Sequence, residues 1–445
     1  MAAVNLSGFN GIDFNTILNA VMQSERKPLE ELQRQESLLK QKDSALSSLA
    51  NLIGAIQTPI TSLTSSTAFT NVAAASTDTS IATVSLGSGG IPGTYDLAIT
   101  QLAKGQVTSS TNGYSATSDV AADGGSISFT INGQTTTAIT ITSSTTLLEL
   151  KEAINNQNSG VVASIVNDGT NYKLLISSRN TGSTNGFTIN NSLTNSAGTV
   201  VAFAAGQNAT TGNVQNAQNA AFSVNGLNIS SSSNTVTEAI PGVTVTLLDA
   251  GNASVNVTKD FTALKDNVKK FVSEYNKLRQ FFNTQSATRG PLATDSVLRG
   301  ALNDIKSVIL GANSNGGRYS YLAEVGIELT STGDLKLDET KLNAAIDGYP
   351  ADLEKLFQGT SSIDGALEDL KETLSNLDGT AGLIKTTRSS IDTSLKSYRD
   401  RIISQELRLE VKRQELIKIY TAADQAMSRL NAATGTLNNL KSRLI

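Results

Sequence analysis

Two heptad repeats bracket this chain and constrain its fold more than any other feature. Toward the C-terminus Leu395, Ile402, Leu409, Leu416, Ala423, Leu430, Leu437 and Leu444 recur every seven residues, with Ile391, Tyr398, Ile419, Ala426, Ala433 and Leu440 in the alternate register. Toward the N-terminus the series is Leu32, Leu39, Leu46, Ile53 and Ile60, backed by Leu49, Ile56 and Leu63. This pattern predicts two long helices, each with a narrow apolar seam that must lie against another helix. Such helices can pair with each other, with copies of the chain, or with both.

The seams carry polar sections, Gln35 and Lys42 in the first helix and Gln405 and Lys412 in the second. Polar residues at seam positions lower stability but specify register. If the two helices run antiparallel with these sections overlapped, Leu39 stands opposite Leu409. Pro28 suits the opening turn of a helix, where a missing N–H costs nothing, and predicts a hinge between the extreme N-terminus and the long helix. Asn431, Thr434, Gly435 and Asn438 weaken helix propensity near the other end. The segments before about residue 25 and after about residue 430 are therefore expected to fold only on assembly.

Charge marks the domain plan. Between residues 71 and 258 there are four basic side chains (Lys104, Lys151, Lys173, Arg179) and nine acidic ones, in a stretch rich in Ser, Thr, Asn and Gly. Short alternating runs there read as strands. Ile127, Phe129 and Ile131 precede Asn132-Gly133 and are followed by Ile139 and Ile141. Phe222 and Val224 precede Asn225-Gly226 and are followed by Leu227 and Ile229. Each hairpin leads to a Glu-Ala-Ile string (152–154 and 238–240) and a Gly-Val pair (160–161 and 242–243), as in a repeated module. The first copy contains a short helix through Leu147, Leu150 and Ile154, capped by Thr145 or Thr146, and the second copy shortens it.

After residue 259 helical spacing returns in Phe261, Leu264, Val268, Phe271, Val272, Tyr275, Leu278 and Phe282. Further helices are expected at 294–310, 338–358 and 364–377, with loops at 311–317 and 331–333. The fold class is α+β and multidomain: terminal coiled-coil legs (1–42, 405–445), a helical stem (43–70, 259–404), a β-rich domain (71–105, 215–258) and a second β-rich domain inserted in it (106–214).

Composition excludes several function classes. A net charge of −4 argues against nucleic acid or an anionic membrane as partner. The absence of His and Cys removes the usual triads, thiolate chemistry and most zinc and iron sites, so neither an enzyme nor a cofactor is expected. No run approaches the ~18 apolar residues that span a bilayer. The first positive charge is Arg26, so no cleaved signal peptide is expected, a pattern that fits the cytoplasm and export through a dedicated channel equally. Glu149 and Glu152 share a helix face, which is ordinarily a solvated surface.

Particular strings add to this. Asn10-Gly11-Ile12-Asp13 and Glu25-Arg26-Lys27-Pro28-Leu29 lead into the first heptad helix. Pro241-Gly242-Val243-Thr244, Phe271-Val272 with Tyr275-Asn276, Gly290-Pro291-Leu292 with Asp295, Gly326-Ile327, Gly333-Asp334-Leu335-Lys336-Leu337-Asp338 and Phe357 follow in order. In this order and spacing the chain resembles the bacterial flagellar filament-cap family (FliD, hook-associated protein 2), outside the Ser/Thr-rich centre. Asn10-Gly11-Ile12-Asp13 stands where the family usually has Ser-Gly-Leu-Asp, Tyr420 where it often has Phe, and Thr436 where an apolar residue is common. The resemblance implies a secreted homo-oligomeric ring, commonly pentameric, at the filament tip. Its implied partners are other copies of the chain, flagellin, hook–filament junction proteins and an export chaperone at the C-terminus. The alternative is an extracellular adhesin whose β-rich domains bind host glycans. In the structural reading, the self-assembly residues are the seam side chains, with Pro28 as hinge.

Overall fold

The computed structural model describes residues 13–441 apart from Ser88 and Asn315, with side chains through Asn439. Among these residues eight α-helices run Phe14–Leu63 (α1), Leu147–Asn156 (α2), Thr262–Ala287 (α3), Ser296–Leu310 (α4), Glu339–Gly348 (α5), Pro350–Gln358 (α6), Ala366–Asp378 (α7) and Leu383–Lys441 (α8). The sheets are antiparallel, and the chain divides into two compact units: residues 1–69 with 261–445, and residues 70–260. The class is α+β, as the patterning predicts.

In the helical unit, the C-terminal half of α1 is the centre of the core. Leu46, Leu49, Ile53, Ile56, Ile60 and Leu63 recur at three- and four-residue spacing, and all are fully buried. They share a core with Leu264, Val268, Phe271 and Tyr275 of α3, Leu367, Leu370 and Leu374 of α7, and Ile384 and Ile391 of α8. Deep burial removes apolar area from water on several sides at once, so this part of α1 is a core helix rather than a two-helix seam. Phe69 packs edge-on against Phe261 and Phe357, and Gln358 Nε2 donates to the Leu63 and Ser65 carbonyls, closing the end of α1.

Three expectations are corrected here. Residues 338–358 form two helices, because Pro350 opens α6 and forces Tyr349 out of the helical region (φ −142°, ψ 57°). Pro28 does not open a helix, since α1 runs through it unbroken. Residues 14–25 and 430–441, expected to fold only on assembly, are helical, with 1–12 and 442–445 lying outside the described residues.

The β-rich unit holds two cores. The first lies between a five-stranded sheet, ordered 72–76, 251–259, 93–101, 220–224 and 227–231, and a three-stranded sheet of 235–240, 243–247 and 82–86. Leu97, Ile99, Phe222, Val243, Val245 and Val255 fill it. The second packs α2 with strands 126–131, 161–167, 172–178 and 187–191 around Phe129 and Phe187, whose rings meet edge-to-face. Both Asn-Gly pairs make hairpin turns with two left-handed residues, φ 44° and 75° at Asn132-Gly133 and φ 50° and 81° at Asn225-Gly226. Thr146 caps α2 through a reciprocal box, and the Glu149 carboxylate accepts the Thr146 N–H at 2.8 Å. The second copy differs from the expectation: residues 235–240 form a strand where the first copy has a helix, since Thr235 and Val236 are β-branched and pair with Thr246 and Val245.

Neutral polar groups hold this unit together where charges are scarce. Gln106 is fully buried, accepts the Phe187 N–H at 2.7 Å and donates to the Phe187 carbonyl at 2.9 Å, so its amide substitutes for a strand edge.

Candidate assembly surface on the terminal helices

α1 and α8 run antiparallel. Near the stem, Arg388 Nε donates to Asp43 Oδ1 at 2.9 Å, and Arg399 Nε donates to Glu36 Oε1 at 3.3 Å. The hydrogen bond from Arg388 to Asp43 raises the Arg388 pKa. The hydrogen bond from Lys40 holds the Glu36 carboxyl below its ordinary value against desolvation, and the hydrogen bond from Arg399 adds a smaller lowering. Lys42, expected at a seam position, instead pairs with Asp295, which caps α4.

Farther out, the helices part around a groove of about 920 Å³ lined by Pro28, Leu32, Arg401, Gln405 and Arg408 among others. They meet again where Leu18, Met22 and Leu409 are buried together, with Leu29, Leu416, Ile417 and Tyr420 packed around them. Phe14 stacks on Tyr420 at 5.7 Å between ring centroids.

This register differs from the overlap of polar sections. Leu409 packs with Leu18 and Met22, and Leu39 packs on the stem core that contains Ile391 and Leu395. The displacement is about two heptads, roughly 21 Å along the axis. A heptad seam looks the same after a slide of seven or fourteen residues, so the stem core and the Arg388–Asp43 contact choose among the registers.

The predicted seam residues fall into three groups. Leu46, Ile53 and Ile60 are spent inside the stem core. Ile391, Leu395 and Leu409 are buried against α1 or the stem, with Leu32, Leu39, Tyr398, Ile402 and Leu416 half-buried. Ile419, Leu430 and Leu437 are 59%, 61% and 69% exposed. Leu440 lies in α8, and Leu444 lies outside the described residues. A strict seven-residue repeat drifts by about 20° per heptad on a straight α-helix. Leu430 and Leu437 have therefore turned about 60° and 80° from the line of Leu409, while Ile417 and Tyr420 have come round to α1 in place of Ile419. Phe14, Leu18 and Met22, missed as contact residues, were marked by their four-residue spacing.

No described helix is long and apolar enough to cross a membrane. The arrangement offers helix-packing surface, and Glu149, the one carboxylate weighed for acid–base work with Glu152, is used as a helix cap.

Comparison with known proteins follows the same outline. Residues 10–106 match the family model for the flagellar hook-associated protein 2 N-terminus, and residues 217–432 match that for its C-terminus. Residues 126–180, in the centre set outside the resemblance above, match the flagellin hook IN motif. The B-type flagellar hook-associated protein 2 of Pseudomonas aeruginosa is 30% identical over 82% of this chain and 82% of its own length. The A-type protein of the same species is 26% identical over 99% and 98%. The crystal structure of the D1-D2-D3 domains of the flagellar cap protein FliD from Escherichia coli superposes with a TM-score of 0.61 at 28% identity, covering 78% of this chain and 99% of that one. These relatives do not favour the adhesin alternative. The chain belongs to the flagellar hook-associated protein 2 family, the flagellar cap proteins also called FliD.

Proposed function

We propose that this chain caps the distal end of the flagellar filament as a homo-oligomeric ring, promoting flagellin polymerisation and preventing loss of exported subunits. The observation that supports this reading most directly is the pair of exposed apolar side chains Leu430 and Leu437 on α8, past the point where α1 begins. Exposed leucines at heptad spacing favour another helix as partner. In this reading 1–42 and 405–445 are legs that meet the filament, 43–70 with 259–404 is the stem, and the β-rich domains (71–105 with 215–258, and 106–214) form the plate. Pro28 acts as the hinge: its missing N–H leaves the Ser24 carbonyl without its helical donor, and the residues around it are exposed beside the groove. Flagellin, junction proteins and an export chaperone are its partners at the tip, outside the cell.

The test is the double variant Leu430→Asp/Leu437→Asp expressed at the native level in the source bacterium. Short filaments and flagellin shed into the medium are expected. Full-length filaments and unimpaired swimming would overturn the reading.

A further inference from the structure

Six Asn-Gly pairs occur in the chain, beginning at residues 10, 112, 132, 185, 225 and 315. Asn10 and Asn315 lie outside the described residues. An Asn-Gly pair carries chemistry of its own, because no side chain shields the glycine nitrogen from the asparagine Cγ before it. Ring closure between the two needs a side-chain amide free to turn and a glycine open to approach.

Three of the four described pairs have that amide pinned. Asn112 Nδ2 donates to the Val200 carbonyl at 2.9 Å. Asn185 Nδ2 donates to the Thr181 carbonyl at 2.6 Å, and the Gly186 N–H is itself bonded to the Ser183 carbonyl. Asn225 Oδ1 accepts the Asp96 N–H at 2.8 Å, while the Asn225 N–H donates to the Asp96 carbonyl at 2.8 Å. Two of these pairs are also crowded: a Cβ at Gly113 would run into Asn171, and one at Gly186 would meet Ala209 at 2.8 Å. Asn132 differs on both counts. It is exposed, its side chain has no hydrogen-bond partner among the described residues, and nothing lies within 4 Å of a Cβ placed on Gly133. Strand 134–135 pairs with Thr130 and Ile131 in two rungs, with one further bond from Thr136 to Phe129, against five rungs behind Asn225. Less of the sheet has to open for Asn132 to leave its left-handed turn (φ 44°) and bring Cγ to the Gly133 nitrogen.

We propose that Asn132 is a site of spontaneous deamidation, the fastest of the described Asn-Gly pairs. The Gly133 nitrogen, its proton lost to hydroxide, forms a bond to Asn132 Cγ. The Cγ–Nδ2 bond breaks, and Nδ2 leaves as ammonia. One water then opens the cyclic imide to aspartate or to β-linked isoaspartate, and either product adds a negative charge to the hairpin. The β-linked product also lengthens the main chain of the turn by one atom and strains the two rungs behind it. This chemistry belongs to the folded chain and does not depend on the capping role.

The test incubates the full-length protein in mildly alkaline buffer below its melting temperature and maps it by peptide mass spectrometry, each pair read on its own peptide. Asn132 is expected to convert at least about tenfold faster than Asn112, Asn185 and Asn225. In protein unfolded by urea the four rates are expected to converge, since the anchoring bonds are gone. Similar rates in the folded protein, or faster conversion at any pinned pair, overturn the proposal. An equal lead for Asn132 in urea also overturns it, assigning the difference to neighbouring residues rather than to the fold. Amide exchange across residues 126–135 is expected to quicken in the converted fraction, and unchanged exchange counts against the effect on the turn.

Discussion

Arg388 donates to Asp43 across 2.9 Å although the two residues stand 345 apart in the chain, and this contact fixes how far α8 slides along α1. Both side chains keep more than a third of their exposure. The pair therefore specifies register more than it stabilises. A double-mutant cycle on Arg388→Met and Asp43→Asn is expected to give a coupling of about 0.5–1 kcal/mol once solvent screening is allowed for. Urea melts measure it, and a coupling above about 3 kcal/mol would mean the pair behaves as a buried one.

The register itself can be trapped. Cysteines at positions 22 and 409 are expected to bridge, since Met22 and Leu409 are buried in one cluster. Cysteines at 39 and 409 stand about 21 Å apart along the axis, far beyond disulfide reach. Rapid bridging of the second pair in monomers would refute the register.

Burial separates stem leucines from leg leucines. Ile53→Ala removes a fully buried side chain from the stem core and is expected to cost about 2–5 kcal/mol in urea unfolding. Leu437→Ala, at 69% exposure, is expected to change the stability of the unassembled chain by no more than about 0.5 kcal/mol. Comparable losses from the two substitutions would contradict this division.

One carboxylate works against the fold at neutral pH. Burial, then the charges of Asp364, Glu372 and Glu368, raise the Asp369 pKa, with Asn313 partly opposing them. A carboxyl with a raised native pKa binds its proton more tightly when folded. Its contribution therefore favours the native state in acid and is lost as pH rises from the ordinary value of 3.8 through the raised one. Asp369→Asn is expected to stabilise the chain at pH 7 and to have little effect at pH 3, read from urea midpoints. The opposite ordering would refute the assigned cause.

Gly242 tests the turn chemistry of the β-rich unit. Its φ is 68°, and an added Cβ would run into the Gly89-Gly90 backbone. Gly242→Ala is expected to cost at least about 1–3 kcal/mol, combining left-handed strain with that clash. Gly226→Ala, with similar φ but open space around it, is expected to cost less. Differential scanning calorimetry orders the two, and a larger loss at Gly226 would show that the Gly89-Gly90 approach is unimportant.

Much of this architecture was legible in local patterns because their causes are local. Asn132-Gly133 and Asn225-Gly226 form hairpins because Asn and Gly tolerate positive φ, and Thr146 with Glu149 caps α2 because the partners are three residues apart. Residues 235–240 misled, since Glu238-Ala239-Ile240 repeats a helical string while pairing with residues 243–246 makes it a strand. Pro350 split a helix that periodicity drew as one.

By itself, the sequence determined that both ends are long helices with apolar lines and that a neutral β-rich section lies between them, because helix and strand periods are written in residues a few positions apart. Only the tertiary structure decided which seam residues are spent in the stem, which are left outside, and that Leu409 packs with Met22 rather than opposite Leu39. A seven-residue repeat is unchanged by a slide of one heptad, and its line rotates on a straight helix. Offset and exposure therefore come from contacts such as Arg388 with Asp43 and Phe14 with Tyr420, which join residues hundreds of positions apart.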